Sequence, residues 1–158
     1  MISIRTGQLS DLDTLILMWQ LIDDHVIKEI QNIYLKERVI NYSSELESTI
    51  REMLDGNDVT ILVAEKDENI VGFITAYIEK LPWFTPSTGL LGSCWVNEKE
   101  RNNGIGGQLV NHAEVWLQER KVFNIQVCWD NGNKVADAFW AKNGYSISQF
   151  RGVKSCEY

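Results

Sequence analysis

At 158 residues, 44% of them apolar, the chain can bury a full core and has the commonest size of one domain, so residues 1–158 are expected to form a single unit. No apolar stretch approaches the roughly 20 residues that span a bilayer. Met1 to Arg5 lacks the start of a secretory signal, and Cys94, Cys128 and Cys156 are odd in number and without metal-type spacing, so the expectation is a cytoplasmic chain with no metal and no membrane partner. A net charge of −7 and an isoelectric point of about 4.8 argue against a nucleic-acid partner, which needs basic patches.

In chain order, Ile2–Thr6 alternates as a strand, and Ser10-Asp11-Leu12-Asp13 has the form of a capping box. Leu12, Leu15, Ile16, Trp19 and Ile22 then recur at helical spacing. Residues 24–43 mix Val26, Ile27, Ile30 and Ile33 with charges, with a break near Asn41. Ser44-Glu45-Leu46-Glu47 is a second box-like start, for a helix carrying Leu46, Ile50, Met53 and Leu54 that Asp55-Gly56-Asn57-Asp58 ends. Strands are predicted at Val59–Lys66 and Ile70–Ile78, and Pro82 and Pro86 bracket a loop holding Trp83 and Phe84. An apolar run through Leu90, Leu91, Cys94 and Val96 forms the next strand. Gly104 to Arg120 reads as a helix with Ile105, Leu109, Ala113, Trp116 and Leu117 on its inner face, and Ile125–Trp129 as a short strand.

The most informative stretch is Asn97-Glu98-Lys99-Glu100-Arg101-Asn102-Asn103-Gly104-Ile105-Gly106-Gly107, where a polar loop leaves a strand and glycines open a helix. Glycines admit a close approach to main-chain N–H groups, and the helix start offers unpaired donors and a positive dipole end to an anion. No Lys-Ser or Lys-Thr follows the glycines, which excludes a P-loop, and Leu109 stands where a dinucleotide fold needs its third glycine. Arg101, Gly104 and Gly106 satisfy Arg/Gln-x-x-Gly-x-Gly/Ala. That loop resembles the acetyl-CoA loop of the GNAT superfamily of N-acetyltransferases. Asn133-Lys134-Val135-Ala136-Asp137-Ala138-Phe139-Trp140, ending at Gly144-Tyr145, resembles the second GNAT signature, with Trp140 in place of the usual tyrosine. Val63 to Phe73 resembles the hairpin before the cofactor strand, and the likeness spans nearly the whole chain in the family's order.

The resemblance implies an α+β fold, a three-layer arrangement of a mixed, mostly antiparallel sheet flanked by helices. It implies acetyl-CoA as cosubstrate and transfer of the acetyl group, by direct attack, to a primary amine of a small molecule or peptide. By analogy, main-chain groups of Cys94, Trp95 and Val96 would bind the pantetheine arm, with the Cys94 N–H donating to the thioester carbonyl. Arg101, Asn102, Asn103, Gly104, Ile105, Gly106 and Gly107 would hold the pyrophosphate. Asn133 would contact the cofactor arm or cap its helix.

Two departures bear on catalysis. The family's glutamate base maps to Gly92, beside Ser93, and neither is a base; Trp140 replaces a tyrosine that assists the leaving thiolate, and an indole N–H only donates. Losing a positioned acid or base costs on the order of 10²–10⁴-fold, although a thiolate of pKa about 8.5 leaves fairly well unaided. Replacement candidates are His25, an imidazole at the end of the first helix, and Glu79, acting through water. Tyr34, Tyr42 and Tyr77 are phenols that the sequence leaves unplaced. The departures keep a second reading open, a catalytically weak CoA-binding or sensor protein of the same fold. Residues 1–79 carry 15 acidic and 6 basic side chains, a net of −9, whereas residues 80–158 carry 7 and 9, which suits a cationic acceptor on the N-terminal half. The segment from Tyr145 to Tyr158 is a candidate for strand pairing across a homodimer.

Overall fold

The computed structural model describes residues 1–30, 42–80 and 86–150. Five strands form one sheet in the order β1 (Ile2–Thr6), β2 (Val59–Lys66), β3 (Asn69–Glu79), β4 (Thr88–Val96) and β5 (Ile125–Val127). The first four pair antiparallel and β4 pairs β5 in parallel, so the sheet is mixed and mostly antiparallel, as expected. Helices α1 (Leu12–His25) and α2 (Tyr42–Asp55) cover one face, and α3 (Ile105–Glu119) and α4 (Lys134–Lys142) cover the other.

The central strands have no polar face because both sides of the sheet are covered. In β2, Ile61 and Val63 pack with Leu15, Met18 and Ile50 of α1 and α2, while Leu62 and Ala64 pack with Leu109, Ala113 and Leu117 of α3. The helical spacing of Leu12, Leu15 and Met18 puts one stripe of α1 onto Phe73 and Trp95. On α3 the predicted inner face holds, with Val110 added and Trp116 only half-buried.

Local differences have local causes. The first helix is preceded by a single 3₁₀ turn, Leu9–Asp11, and the capping box joins Gln8 to Asp11 rather than starting at Ser10. Asp11 is drawn there because Arg5 grips its carboxylate through two nitrogens, at 2.7 and 3.0 Å, while the Gln8 N–H donates to it at 2.8 Å. α1 runs on into a π-helical turn, Val26–Ile30. α2 begins at Tyr42, two residues before the expected Ser44 start. Tyr34, the expected break near Asn41 and the Trp83-Phe84 loop lie outside the described residues, as does the end of the Tyr145–Tyr158 segment. β5 stops at Val127 rather than Trp129, because its partner strand turns away there.

Candidate active site

The site begins where β4 and β5 part. Their parallel register runs Gly89–Ile125, Leu90–Gln126, Leu91–Val127 and then ends. At the same level the pairing of β3 with β4 slips, from Ala76–Leu91 to Ile74–Cys94, so that Thr75 alone faces Gly92 and Ser93. The bulge falls where β4 and β5 stop pairing, so beyond Leu91 the edge of β4 that faced β5 is left as a cleft edge without a strand partner among the described residues. The Asn97 N–H donates to the Val71 carbonyl of β3 at 2.9 Å. By strand alternation, the main-chain groups of Trp95 also face β3, and those of Cys94 and Val96 face the cleft.

The loop after β4 is set by backbone geometry. A 3₁₀ turn, Glu98–Glu100, leads to Asn102 and Gly104, both left-handed with φ of +64° and +77°, and Gly104 caps α3. The first intrahelical bond is Gln108 N–H to the Gly104 carbonyl, 3.1 Å. The N–H groups of Ile105, Gly106 and Gly107 precede it and have no acceptor within the helix. No acidic side chain lies in this first turn, which leaves the positive end of the helix unopposed. The glycines differ in their reasons: a β-carbon on Gly106 would stand 2.9 Å from the Phe139 ring of α4, whereas one on Gly107 would meet only Asn143 Oδ1 at 3.6 Å. The Arg101 side chain turns back to the strand, its Nε donating to the Val96 carbonyl at 3.0 Å and its guanidinium 4.5 Å from the Trp95 ring centre. It fastens the loop to β4 and leaves anion contact to the backbone.

On the face covered by α1 and α2, Trp95 is the central side chain. It packs with Phe73 and α1, the His25 ring stands edge-on to it with centres 6.0 Å apart, and its buried indole N–H has no hydrogen-bond partner. Glu79 is exposed opposite Thr88, six residues before Cys94 on β4, or about 20 Å along an extended strand. On the opposite face the Cys94 thiol is recessed, and burial pushes its pKa up to about 12, so it is a thiol rather than a nucleophile near neutral pH. Asn133 caps α4, its Oδ1 accepting from the Ala136 N–H at 3.0 Å. Among the described residues, no group of three or more His, Cys, Asp or Glu side chains converges, and no helix is long and apolar enough to cross a membrane.

The model of the acetyltransferase (GNAT) family matches residues 27–145, a span that holds both the split of β4 from β5 and the glycine-opened start of α3. The chain belongs to the GNAT family. Acetyl-CoA is the family's cosubstrate, and the cleft-facing main chain of β4 together with the anion-accepting start of α3 fits its arm and its pyrophosphate. Solved structures of similar fold include a transcriptional regulator from Bacillus halodurans C-125, 20% identical with a TM-score of 0.76 over 99% of this chain and 100% of that one. An aminoglycoside acetyltransferase from an uncultured soil metagenomic sample, solved with trehalose, is 18% identical with a TM-score of 0.73 over 99% and 97%. The aminoglycoside acetyltransferase AAC(6')-Iy, solved with the bisubstrate analogue CoA-S-monomethyl-acetylneamine, is 13% identical with a TM-score of 0.75 over 100% and 99%. No curated protein matches the sequence.

Within the GNAT frame, the two departures acquire surroundings. Trp140 is buried, only 4% exposed, in a cluster with Phe139 and Tyr145, whose rings meet it edge-on at 4.9 and 5.4 Å, and with Trp129 at 6.5 Å. The Tyr145 hydroxyl is tied to Glu114 of α3 at 2.7 Å, and burial, with that carboxylate, raises its pKa far above the ordinary phenol value. Gly92 is hemmed in by β3: a β-carbon there would overlap the Thr75 hydroxyl and come within 2.6 Å of Tyr77 Cε2 and 3.2 Å of the Tyr77 hydroxyl. His25 stands beside Trp95, the neighbour of Cys94, while Trp140 lies behind the sheet and Glu79 at the far end of β3. The sequence carries no signal for Thr75 and leaves Tyr77 unplaced. Alternation puts both on one face of β3, but only the bulge brings them against Gly92.

Proposed function

We propose that the protein is an acetyl-CoA-dependent N-acetyltransferase that moves the acetyl group to a primary amine of a small molecule or peptide by direct attack. The parting of β4 from β5 after Leu91 and Val127, next to the unpaired N–H groups of Ile105 to Gly107, carries this reading. It gives the thioester arm a strand edge to bond and the pyrophosphate a set of donors. Cys94 N–H is the donor for the thioester carbonyl, Val96 and Trp95 belong to the arm-binding strand, and the backbone from Arg101 to Gly107 holds the phosphates. Asn133, already engaged as a cap, reaches the arm with its remaining polar capacity. When bound, acetyl-CoA supplies the acyl group. The chain's own residues hold the carbonyl, seat the amine and keep the two in register. His25 is the base candidate nearest to Cys94 along the fold, and Glu79 acts only through an intervening chain of water. Trp140 contributes by packing and, at most, by its N–H.

The acceptor is a cationic amine in solution, drawn to the acidic N-terminal half. Similar folds bear the names of aminoglycoside acetyltransferases, so aminoglycosides belong in the test panel beside polyamines, amino acids and short peptides. The protein is read as cytoplasmic, and as a homodimer through its C-terminal segment, which light scattering checks. The deciding experiment measures thiol release from acetyl-CoA with each acceptor, alongside thermal stabilisation by CoA. A second reading, a CoA-binding or sensor protein with little turnover, is favoured by the bare Gly92 and the buried Trp140. CoA stabilisation without acceptor-dependent thiol release would select it, and absence of both would remove the cofactor assignment.

A further inference from the structure

We infer that Lys66 is a positioning residue for the cofactor: by gripping Glu100 it neutralises the carboxylate that stands just ahead of the phosphate-binding loop. This rests on the reading above that places the pyrophosphate at the start of α3, and it adds a residue from outside that loop. β2 and β4 run in the same direction with β3 between them, so their last residues lie at the same end of the sheet. Lys66 is the last residue of β2, and Glu100 ends the 3₁₀ turn that follows β4. The Lys66 ammonium reaches past the start of β3 and donates to both carboxylate oxygens of Glu100, each at 2.9 Å.

The turn has a scaffold of its own without Lys66. The Glu100 N–H donates to the Asn97 carbonyl at 2.9 Å, the Glu100 carbonyl accepts from Asn103 Nδ2 at 3.3 Å, and the Asn97 N–H is held by Val71 of β3. The ammonium and carboxylate side chains are 40% and 21% exposed, and an ion pair so open to water adds little to stability. What the pair changes is charge. Glu98 and Glu100 put two carboxylates shortly before the N–H groups of Ile105 to Gly107, the proposed donors to a ligand with several negative charges. Arg101 Nη1 stands 3.9 Å from Glu98, so that carboxylate is countered from within the loop. Glu100 is countered from β2. Its hydrogen bond is the main cause that raises the Lys66 pKa above the ordinary lysine value, and the ammonium stays charged throughout the neutral range. Without Lys66 a bare carboxylate is left beside the anion's loop, and its repulsion is screened only over a Debye length of about 8 Å at 0.15 M salt.

Calorimetric titration with CoA tests this on the wild type, Lys66→Met, Glu100→Gln and the double variant, at about 0.05 and 0.5 M salt. Gly107→Asp serves as the reference for the loop itself, and thermal melts without ligand check that each protein folds. Lys66→Met is expected to bind CoA about five-fold more weakly at the lower salt and within about two-fold of the wild type at the higher. Glu100→Gln should bind no more weakly than the wild type, and the double variant should recover the affinity that Lys66→Met loses. The melting points of these three variants should stay close to that of the wild type. Equal weakening in Lys66→Met and Glu100→Gln overturns the proposal, because the pair would then be a mechanical clamp on the turn. A loss in Lys66→Met that high salt or the second substitution leaves in place overturns it too. Unchanged affinity in Lys66→Met, with binding lost in Gly107→Asp, overturns the role of Lys66 and leaves the pyrophosphate reading intact. Unchanged affinity in both, or a wild type that does not bind CoA, removes the two together.

Discussion

At the level of single residues, the three glycines that open α3 are separable by what a β-carbon would meet. Gly107 has helical backbone and room for a side chain, so Gly107→Asp should fold normally and lose CoA binding by placing a carboxylate among the phosphate donors. Gly106→Asp should lose stability as well, because its side chain drives into Phe139. Differential scanning fluorimetry with and without CoA separates the two, and an undiminished CoA shift in Gly107→Asp removes the pyrophosphate assignment. Trp140→Tyr leaves a void in the aromatic cluster and buries a hydroxyl, and is expected to cost about 1–3 kcal/mol by urea unfolding. If the missing phenol is what limits turnover, kcat should rise in the same variant despite that loss. An unchanged kcat assigns thiolate departure to another donor or to none.

At the level of elements, the join of β1 to α1 depends on one carboxylate. Asp11 accepts from Arg5 and from the Gln8 N–H, and Arg5 also bonds Glu65 of β2 at 2.8 Å. The hydrogen-bonded Arg5 guanidinium holds the Asp11 carboxyl below the ordinary carboxylate range against the opposing effect of burial. A carboxylate whose folded pKa is depressed adds stability that is complete above its unfolded value and is lost as pH falls through the folded one. Asp11→Asn should therefore cost about 1–3 kcal/mol near pH 7, and the difference from wild type should shrink below about pH 4. Urea melts at several pH values read this out, and a pH-independent difference would rule out the charge as its source. The same join shows why some features were legible in sequence and others were not. The continuous apolar run of β2 and the stripe of α1 are local patterns, so residues such as Val63 and Leu15 announce their surroundings. Asp11 also has a local pattern, but its choice of partner is decided by Arg5 across a turn, and the cap moved accordingly. The β4 bulge has no local pattern at all: Gly92 reads as an ordinary strand glycine until β3 is laid beside it.

At the level of the whole molecule, the glycine loop and the Asn133–Tyr145 segment made the family legible because their main-chain demands restrict the side chains allowed there. The surroundings of Trp95 and Gly92 are written in contacts between segments far apart in sequence, as with His25 beside Trp95 and Tyr77 against Gly92. Charge adds one property of the chain as a whole. With −9 on residues 1–79, capture of a multiply charged amine should slow as salt rises, so kcat/KM for a polyamine should fall several-fold between about 0.02 and 0.3 M ionic strength. A weakly charged peptide amine should show little change. Equal salt dependence for both would assign the acidity to surface solvation alone.

The contact between Gly106 and Phe139 carries a dynamic consequence. With no β-carbon between them, the first turn of α3 and the ring from α4 form one seam, so the backbone proposed to meet phosphate on one side bears α4 on the other. Ordering that turn should damp the opening fluctuations of α4 through the Gly106–Phe139 seam. In amide hydrogen exchange, protection from CoA should appear along Ala138 to Lys142 together with Gly106 to Leu109, while β1 keeps its unliganded rate.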